Sequence, residues 1–233
     1  MDRNALKIIA LLTMTIDHIG FFLLSPDTTL YLATRIIGRI AFPLFAFMIV
    51  EGFFHTRDLA SYVKRLLVLG LAVEFILVMF YAVYDINLII IPFTPGHLAQ
   101  FNIMWTLLVG LTGVYIINQQ NKDLYGFLPL LLLVSYFLPY GFYGFGIMLI
   151  WGWIREKKTS YLAILILSLV YLIFPLVGEP SIPVSSYIQL CSLLALPLIY
   201  FYNGKSSIKY RFLFYWYYPT HLVILLLIKI YII

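Results

Sequence analysis

"LPLLLLVSYFLPYGFYGFGIMLIWGWIREKK" (Leu128–Lys158) decides the fold. Two apolar runs flank "LPYG" (Leu138–Gly141), a proline–glycine turn signal. The second run ends in the basic cluster "REKK" (Arg155–Lys158). One long broken helix would cross a bilayer once and leave the cluster on the far side. Two short helices would cross twice and bring it back. The choice between them rests on the rest of the chain.

The chain has 233 residues, of which 63% are hydrophobic and only 11% charged. Its mean hydropathy is +0.99. A soluble domain carries about a quarter charged residues, so this composition points to an all-α, polytopic membrane protein. With ~20 apolar residues needed to cross ~30 Å of hydrocarbon, spans are predicted over 5–24, 35–54, 62–84, 100–118, 124–138, 141–154, 160–177, 185–202 and 211–231. Residues 1–233 read as a single integral membrane domain with no soluble appendage.

Charge settles whether 124–154 is one helix or two. With the N-terminus cytoplasmic and about nine helices, the inner side receives Arg3, Lys7, Arg57, Lys64, Arg65, Lys122, Arg155, Lys157, Lys158, Lys205, Lys209 and Arg211. The outer side receives little beyond Arg35 and Lys229. Merging the two short spans would reverse the cluster and spoil this positive-inside pattern. The net charge of +5 therefore reports topology, and nucleic acid is excluded as a partner. The N-terminal run lacks a small-residue cleavage site and reads as a retained first helix. Cys191 is the one cysteine and forms no intrachain disulfide. "YDINLIIIPFTPGHLAQ" (Tyr84–Gln100) reads as an outer loop or re-entrant cap, given Pro92, Pro95 and Gly96. Pro43, Pro129, Pro139, Pro175 and Pro197 are expected to kink or end helices.

Ionisable groups inside spans are costly and are kept for pairing, water or function. The deep ones are Asp17, His18, Arg39, Glu74 and His221; Glu51, His55 and Arg65 lie nearer the inner surface. At 1.5 Å per residue, His18 lies ~20 Å from the inner end of its helix, Glu74 ~18 Å and His221 ~15 Å. Arg39 enters from the outer side to a similar level. The first two helices are joined by a short loop, so Asp17 or His18 can reach Arg39. Taken alone, an Asp17–Arg39 pair is equally well explained as glue between two helices. It leaves His18 unexplained, and a second deep histidine, His221, adds weight to a functional reading. His18 would serve as a general base in its neutral form. Glu51 and His55, four residues apart on one helix, make too small a set for a metal, and none is expected. Arg57, Lys64 and Arg65 form an inner basic cluster that either sets topology or holds phosphate.

Three blocks together resemble a known family. They are "LKIIALLTMTIDHIG" (Leu6–Gly20), "IGRIAFPLFAFMIVEGFFHTRDLASYVKRLL" (Ile37–Leu67) and "FYWYYPTHLVILLLI" (Phe214–Ile228). With the weaker blocks "FNIMWTLLVG" (Phe101–Gly110) and "YGFGIML" (Tyr143–Leu149), they resemble the TraX family of membrane proteins, named for conjugal pilus assembly. The resemblance implies an acetyltransferase of the bacterial cytoplasmic membrane, because the family's founding member is known for acetylating the N-terminal amine of a pilin. The family is similar to the wider transmembrane acyltransferases, where acyl-CoA is the donor and an intramembrane histidine the usual catalytic candidate.

By that likeness His18 is the base, with Asp17 and Arg39 beside it. Glu74, Asn102, His221, Glu51 and His55 are supporting candidates. Arg57, Lys64 and Arg65 are candidates for the phosphates of acetyl-CoA. The acceptor is an amine or hydroxyl, on a pilin-like peptide or a cell-surface glycan. The competing reading is a transporter or flippase with an Asp17, Arg39, Glu74 and His221 pathway; against it, the sequence shows no internal repeat.

Overall fold

The computed structural model describes residues 1–84, 101–173, 184–205 and 211–231, and of these the side chains outside 81–84, 184–186 and 211–214. Every regular element among them is helical. They are α1 (Arg3–Leu23), α2 (Thr29–Gly38), α3 (Ala41–His55), α4 (Leu59–Tyr84), α5 (Ile103–Ile117), α6 (Leu128–Tyr136), α7 (Gly141–Trp153), α8 (Lys157–Ile173), α9 (Val184–Leu190), α10 (Ala195–Tyr200) and α11 (Arg211–Tyr231). α2 and α3 run on as one apolar segment, Thr29–His55, and a tight helical turn, Cys191–Leu194, joins α9 to α10. The described residues thus form nine helical segments. The segment 84–100 beyond Tyr84, Pro175, Lys209 and the side chain of Arg211 lie outside the described residues.

Residues 124–154 contain two helices. A short 3-10 turn, Lys122–Phe127, leads into α6, where Pro129 sits in the first turn and its missing N–H goes unmissed. α6 then stops, and Tyr140 (φ 64°) and Gly141 (φ 45°) take left-handed conformations that reverse the chain into α7. Gly141 N–H donates to Leu138 O at 3.0 Å, closing the turn. Thr106 Oγ1 donates to Pro139 O at 2.6 Å and ties that turn to α5.

The second segment begins earlier than the sequence suggests, at Thr29, with Thr28 as N-cap through a 3.1 Å bond from Tyr31 N–H. Pro43 explains its break. Proline has no N–H to give to the carbonyl four residues back, at Arg39, and the helix pauses there before resuming at Ala41. This start corrects the expected place of Arg35. It lies in the last turn of α2 and not at the head of a helix that begins there.

The chain divides into two compact units, Met1–Met48 with Glu156–Ile233, and Ile49–Arg155. In the first, α1 packs on α2 and α11, while α9 packs on α2 and α8. In the second, α5 packs on α4, α6 and α7. Small residues allow the close approaches. A Cβ at Gly20 would collide with Thr34, and one at Gly38 with the Asp17 carboxylate, so α1 and α2 meet at glycine contacts. Gly110, Gly113 and Gly152 do the same between α5 and α7.

Two helical segments, Arg3–Leu23 and Thr29–His55, are long and apolar enough to cross a membrane. Shorter apolar helices span Ile103–Ile117, Gly141–Trp153 and Tyr187–Tyr200. Outward faces are apolar as well. On α8, Leu162, Ile166 and Val170 recur every fourth residue and are 58%, 53% and 55% exposed.

Candidate active site

In the first unit, Asp17 and His18 are adjacent but point about 100° apart around α1. They go to different partners. Asp17 Oδ2 accepts from Arg35 Nη1 at 2.7 Å, and Oδ1 faces Arg39 Nη2 at 3.5 Å. Arg35 also reaches Asp17 O at 3.4 Å, and its guanidinium lies over the Phe21 ring, 5.2 Å from the centroid. Arg39 Nη1 donates to Gln189 Oε1 at 3.4 Å and Nε to Arg35 O at 3.4 Å. Two guanidinium groups therefore serve one carboxylate, and Arg35 holds it more tightly.

His18 turns to α11. Its Nδ1 is 2.8 Å from His221 Nε2, and the two rings are coplanar within 2°. His221 Nδ1 lies 2.9 Å from Tyr217 O. A carbonyl only accepts, so that Nδ1 carries a proton. With His221 neutral, its Nε2 is then an acceptor, and the proton in the His18–His221 bond belongs to His18 Nδ1. His18 Nε2 is left with a bare lone pair. The order is thus His18 Nδ1–H to His221 Nε2, and His221 Nδ1–H to Tyr217 O.

Aromatic packing fixes the pair. Tyr218 stacks on both imidazoles, with centroids 5.6 Å from His221 and 6.1 Å from His18, and Phe22 meets His18 edge-on at 6.0 Å. Thr15 Oγ1 donates to Leu11 O at 2.8 Å and so accepts from Tyr217 O–H at 2.8 Å. This second tie between α1 and α11 lies one turn from the histidines. Pro219, inside α11, has no N–H for the carbonyl of Tyr215.

The remaining sequence candidates lie in the second unit and form separate clusters. Glu74 Oε2 accepts from Asn102 Nδ2 at 2.5 Å, Trp105 Nε1 at 2.9 Å and Asn102 N at 3.2 Å. Asn102 also N-caps α5 through Met104 N–H at 2.9 Å and donates to Gly70 O at 2.9 Å. Glu51 Oε1 takes Arg155 Nη2 at 2.5 Å, and Arg155 lies on Phe54 at 4.2 Å. His55 Nδ1 donates to Glu51 O at 2.7 Å, a bond within its own helix. No group of three His, Cys, Asp or Glu among the described residues could hold a metal.

Arg57 and Lys64 are exposed, and Arg65 is half-buried over Tyr62 with its Nε buried and unbonded. Beside them Asp58 caps α4; hydrogen bonds from Ser61 hold its carboxyl below the usual value.

Sequence reasoning missed Arg35, Gln189 and Tyr217. Arg35 stands four residues before Arg39 and so shares its helix face, a spacing that could have found it. Gln189 is a single amide in an apolar run and Tyr217 contributes a backbone carbonyl; neither carries a pattern.

A family model described as "TraX protein" matches residues 2–229. The chain is 28% identical over 242 aligned positions, covering 97% of each chain, to the Probable fimbrial assembly protein FimC, serogroup H1, of Dichelobacter nodosus. It is 46% identical over 52 residues, 22% of this chain and 19% of the relative, to an uncharacterised protein of Rickettsia prowazekii. No solved structure matches.

Proposed function

The chain belongs to the TraX family, and on that premise we propose that it is a membrane-embedded acetyltransferase that uses acetyl-CoA as donor. The acceptor is an amine or hydroxyl of a membrane or extracytoplasmic molecule. The fimbrial assembly relative and the founding member's pilin chemistry favour a pilin-like N-terminal amine.

The membrane reading is supported by the two spanning-length segments and by the exposed apolar faces, since soluble monomers rarely leave large contiguous apolar patches in water. A cytoplasmic N-terminus is supported by how basic ends gather. In the first unit, Asn203 N–H donates to Met1 O at 3.0 Å and Arg3 N–H to Lys205 O at 2.9 Å. Lys157 Nζ reaches Tyr200 O and Tyr202 O at 3.2 Å. In the second unit, Arg155 meets Glu51 at the end of α3 that leads to Arg57. These are the ends that the positive-inside rule assigns to the cytoplasm.

One observation carries the chemistry: His18 Nδ1 lies against His221 Nε2, and His221 Nδ1 against Tyr217 O, an order that with neutral rings leaves His18 Nε2 bare. The acceptor's N–H or O–H gives its proton to that nitrogen as the nucleophile attacks the thioester carbon. The positive charge on His18 is shared with His221 through the 2.8 Å bond and, beyond it, Tyr217 O. His18 then returns the proton to the departing CoA thiolate. The products are an acetylated acceptor and CoA–SH, with no net proton change. Asp17 is a positioning residue that holds Arg35 and Arg39 on α1. Arg57, Lys64 and Arg65 are assigned to the CoA phosphates, on their charge and on the unbonded Arg65 Nε.

The test is incubation of the purified protein in lipid vesicles with isotope-labelled acetyl-CoA and a bacterial membrane extract. Mass spectrometry should find label on one acceptor, and none with His18→Ala. Equal labelling by a folded His18→Ala protein sinks the assignment. Arg65→Ala should raise KM for acetyl-CoA; an unchanged KM removes Arg65 from the donor site.

A further inference from the structure

Gln189, on α9, is 6% exposed. Its Oε1 accepts from Arg39 Nη1, which fixes the amide so that Nε2 is its other end. That Nε2 is buried and has no hydrogen-bond partner. A buried N–H without an acceptor costs on the order of 1–3 kcal/mol, and folded proteins keep few of them. An apolar side chain of similar volume would avoid that cost at the loss of one long bond from Arg39. The orphaned donor therefore asks for an acceptor that the chain itself does not supply.

The surroundings define that acceptor. Arg35 and Arg39 carry two formal positive charges against one negative charge on Asp17. Arg39's bonds to Asp17, Gln189 and Arg35 O lie at 3.4–3.5 Å, the long end of the hydrogen-bond range. An amide donor beside Arg39, in a net positive and largely buried place, suits an oxygen that gains negative charge.

We propose that Gln189 Nε2 and Arg39 together bind the carbonyl oxygen of the acyl group as it becomes an oxyanion. This rests on the acyl-transfer reading above. When the acceptor's nitrogen or oxygen bonds to the thioester carbon, the C=O π pair moves onto that oxygen. The two donors hold the resulting anion. On collapse the pair re-forms C=O, the C–S bond breaks, and the thiolate takes its proton from His18 Nε2.

The experiment compares wild type with Gln189→Met, which removes the donor at similar volume, and Gln189→Glu, which keeps the shape and the Arg39 contact but has no N–H. Both should lower kcat about 100-fold, the typical cost of one lost oxyanion donor. KM for acetyl-CoA should stay within about twofold if the donor acts in the transition state. Gln189→Met should change the unfolding temperature little, because it removes an unsatisfied N–H together with only the long 3.4 Å bond from Arg39. A merely structural glutamine predicts the reverse: lost stability with kcat intact.

A second readout needs no turnover. In His18→Ala protein, the infrared stretch of acetyl-CoA labelled at the thioester carbonyl should move to lower frequency on binding, and Gln189→Met should abolish that move. If the wild type neither binds nor uses acetyl-CoA, the acyl-transfer reading falls and takes this pair with it. If it transfers acetyl and the glutamine variants match it in rate and carbonyl frequency, only the pair is overturned.

Discussion

Asp17 and Glu74 are both carboxylates in apolar helices, satisfied in opposite ways. Asp17 is met by two guanidinium groups, one close at 2.7 Å and one loose at 3.5 Å. On the next residue of α1 an imidazole bonds His221 through Nδ1, which leaves its Nε2 lone pair bare when both rings are neutral, and beyond Arg39 a buried amide donor has no acceptor. Glu74 instead gathers three neutral N–H donors on one oxygen, two of them from the residue that caps α5. The second arrangement consumes its donors and clasps α4 to the start of α5. The first leaves donor and acceptor capacity unspent, which folding alone does not favour. On the proposed acyl-transfer reading, the unspent capacity next to fixed charge assigns the first place to the substrate and the second to holding helices.

The largest effect should come from the bare nitrogen. His18→Ala is expected to lower acetyl transfer about 1,000-fold, within the range for a lost general base, while the protein still inserts and elutes as wild type. His221→Leu comes next. It frees His18 to choose the wrong tautomer and should cost about 10- to 100-fold in kcat, on the scale expected for a lost positioning hydrogen bond. His221→Gln, whose amide oxygen can replace Nε2 as acceptor, should restore part of that rate.

Glu74→Ala tests the other side of the comparison. It should remove about 1.5–3 kcal/mol, the worth of hydrogen bonds to a charged group, read as a lower unfolding temperature in detergent. Specific activity per folded molecule should change little; a turnover loss larger than that from His221→Leu would break the distinction. Gly38→Ala should cost about 1–3 kcal/mol by forcing a methyl onto the Asp17 carboxylate. The smallest effect belongs to Glu51→Gln. Glu51 is buried, but its partner Arg155 is 46% exposed and the glutamine oxygen can still accept from it, so the unfolding temperature should fall only slightly.

Much of the fold was legible because long apolar runs and the turn signals between them follow simple rules. Length, apolarity and the placement of lysine and arginine predicted nine helical segments. Pro139 and Gly141 marked the turn between α6 and α7 correctly. The start of the second segment was misjudged because "TTLYLATR" (Thr28–Arg35) is less apolar than the run after Arg39, and because Pro43 hid that the helix had begun before it. That error put Arg35 at the head of the helix and concealed the stronger partner of Asp17.

In the site, His18, Asp17, Arg39 and His221 stood out as ionisable groups in apolar runs. Their aim did not. A sequence gives the order along α1, but only the packing of α1 on α2 and α11 turns Asp17 to the arginines and His18 to His221. Gln189 and the Tyr217 carbonyl carry no sequence signal of any kind, since one is an ordinary neutral side chain and the other is backbone.

The most direct measurement is nitrogen-15 NMR of the protein labelled at histidine, in lipid, with His18→Ala and His221→Leu used to assign the signals. The account predicts a neutral His18 with its proton on Nδ1 and Nε2 bare, coupled across a hydrogen bond to His221 Nε2. A His18 that carries its proton on Nε2, or shows no coupling to His221, would contradict it.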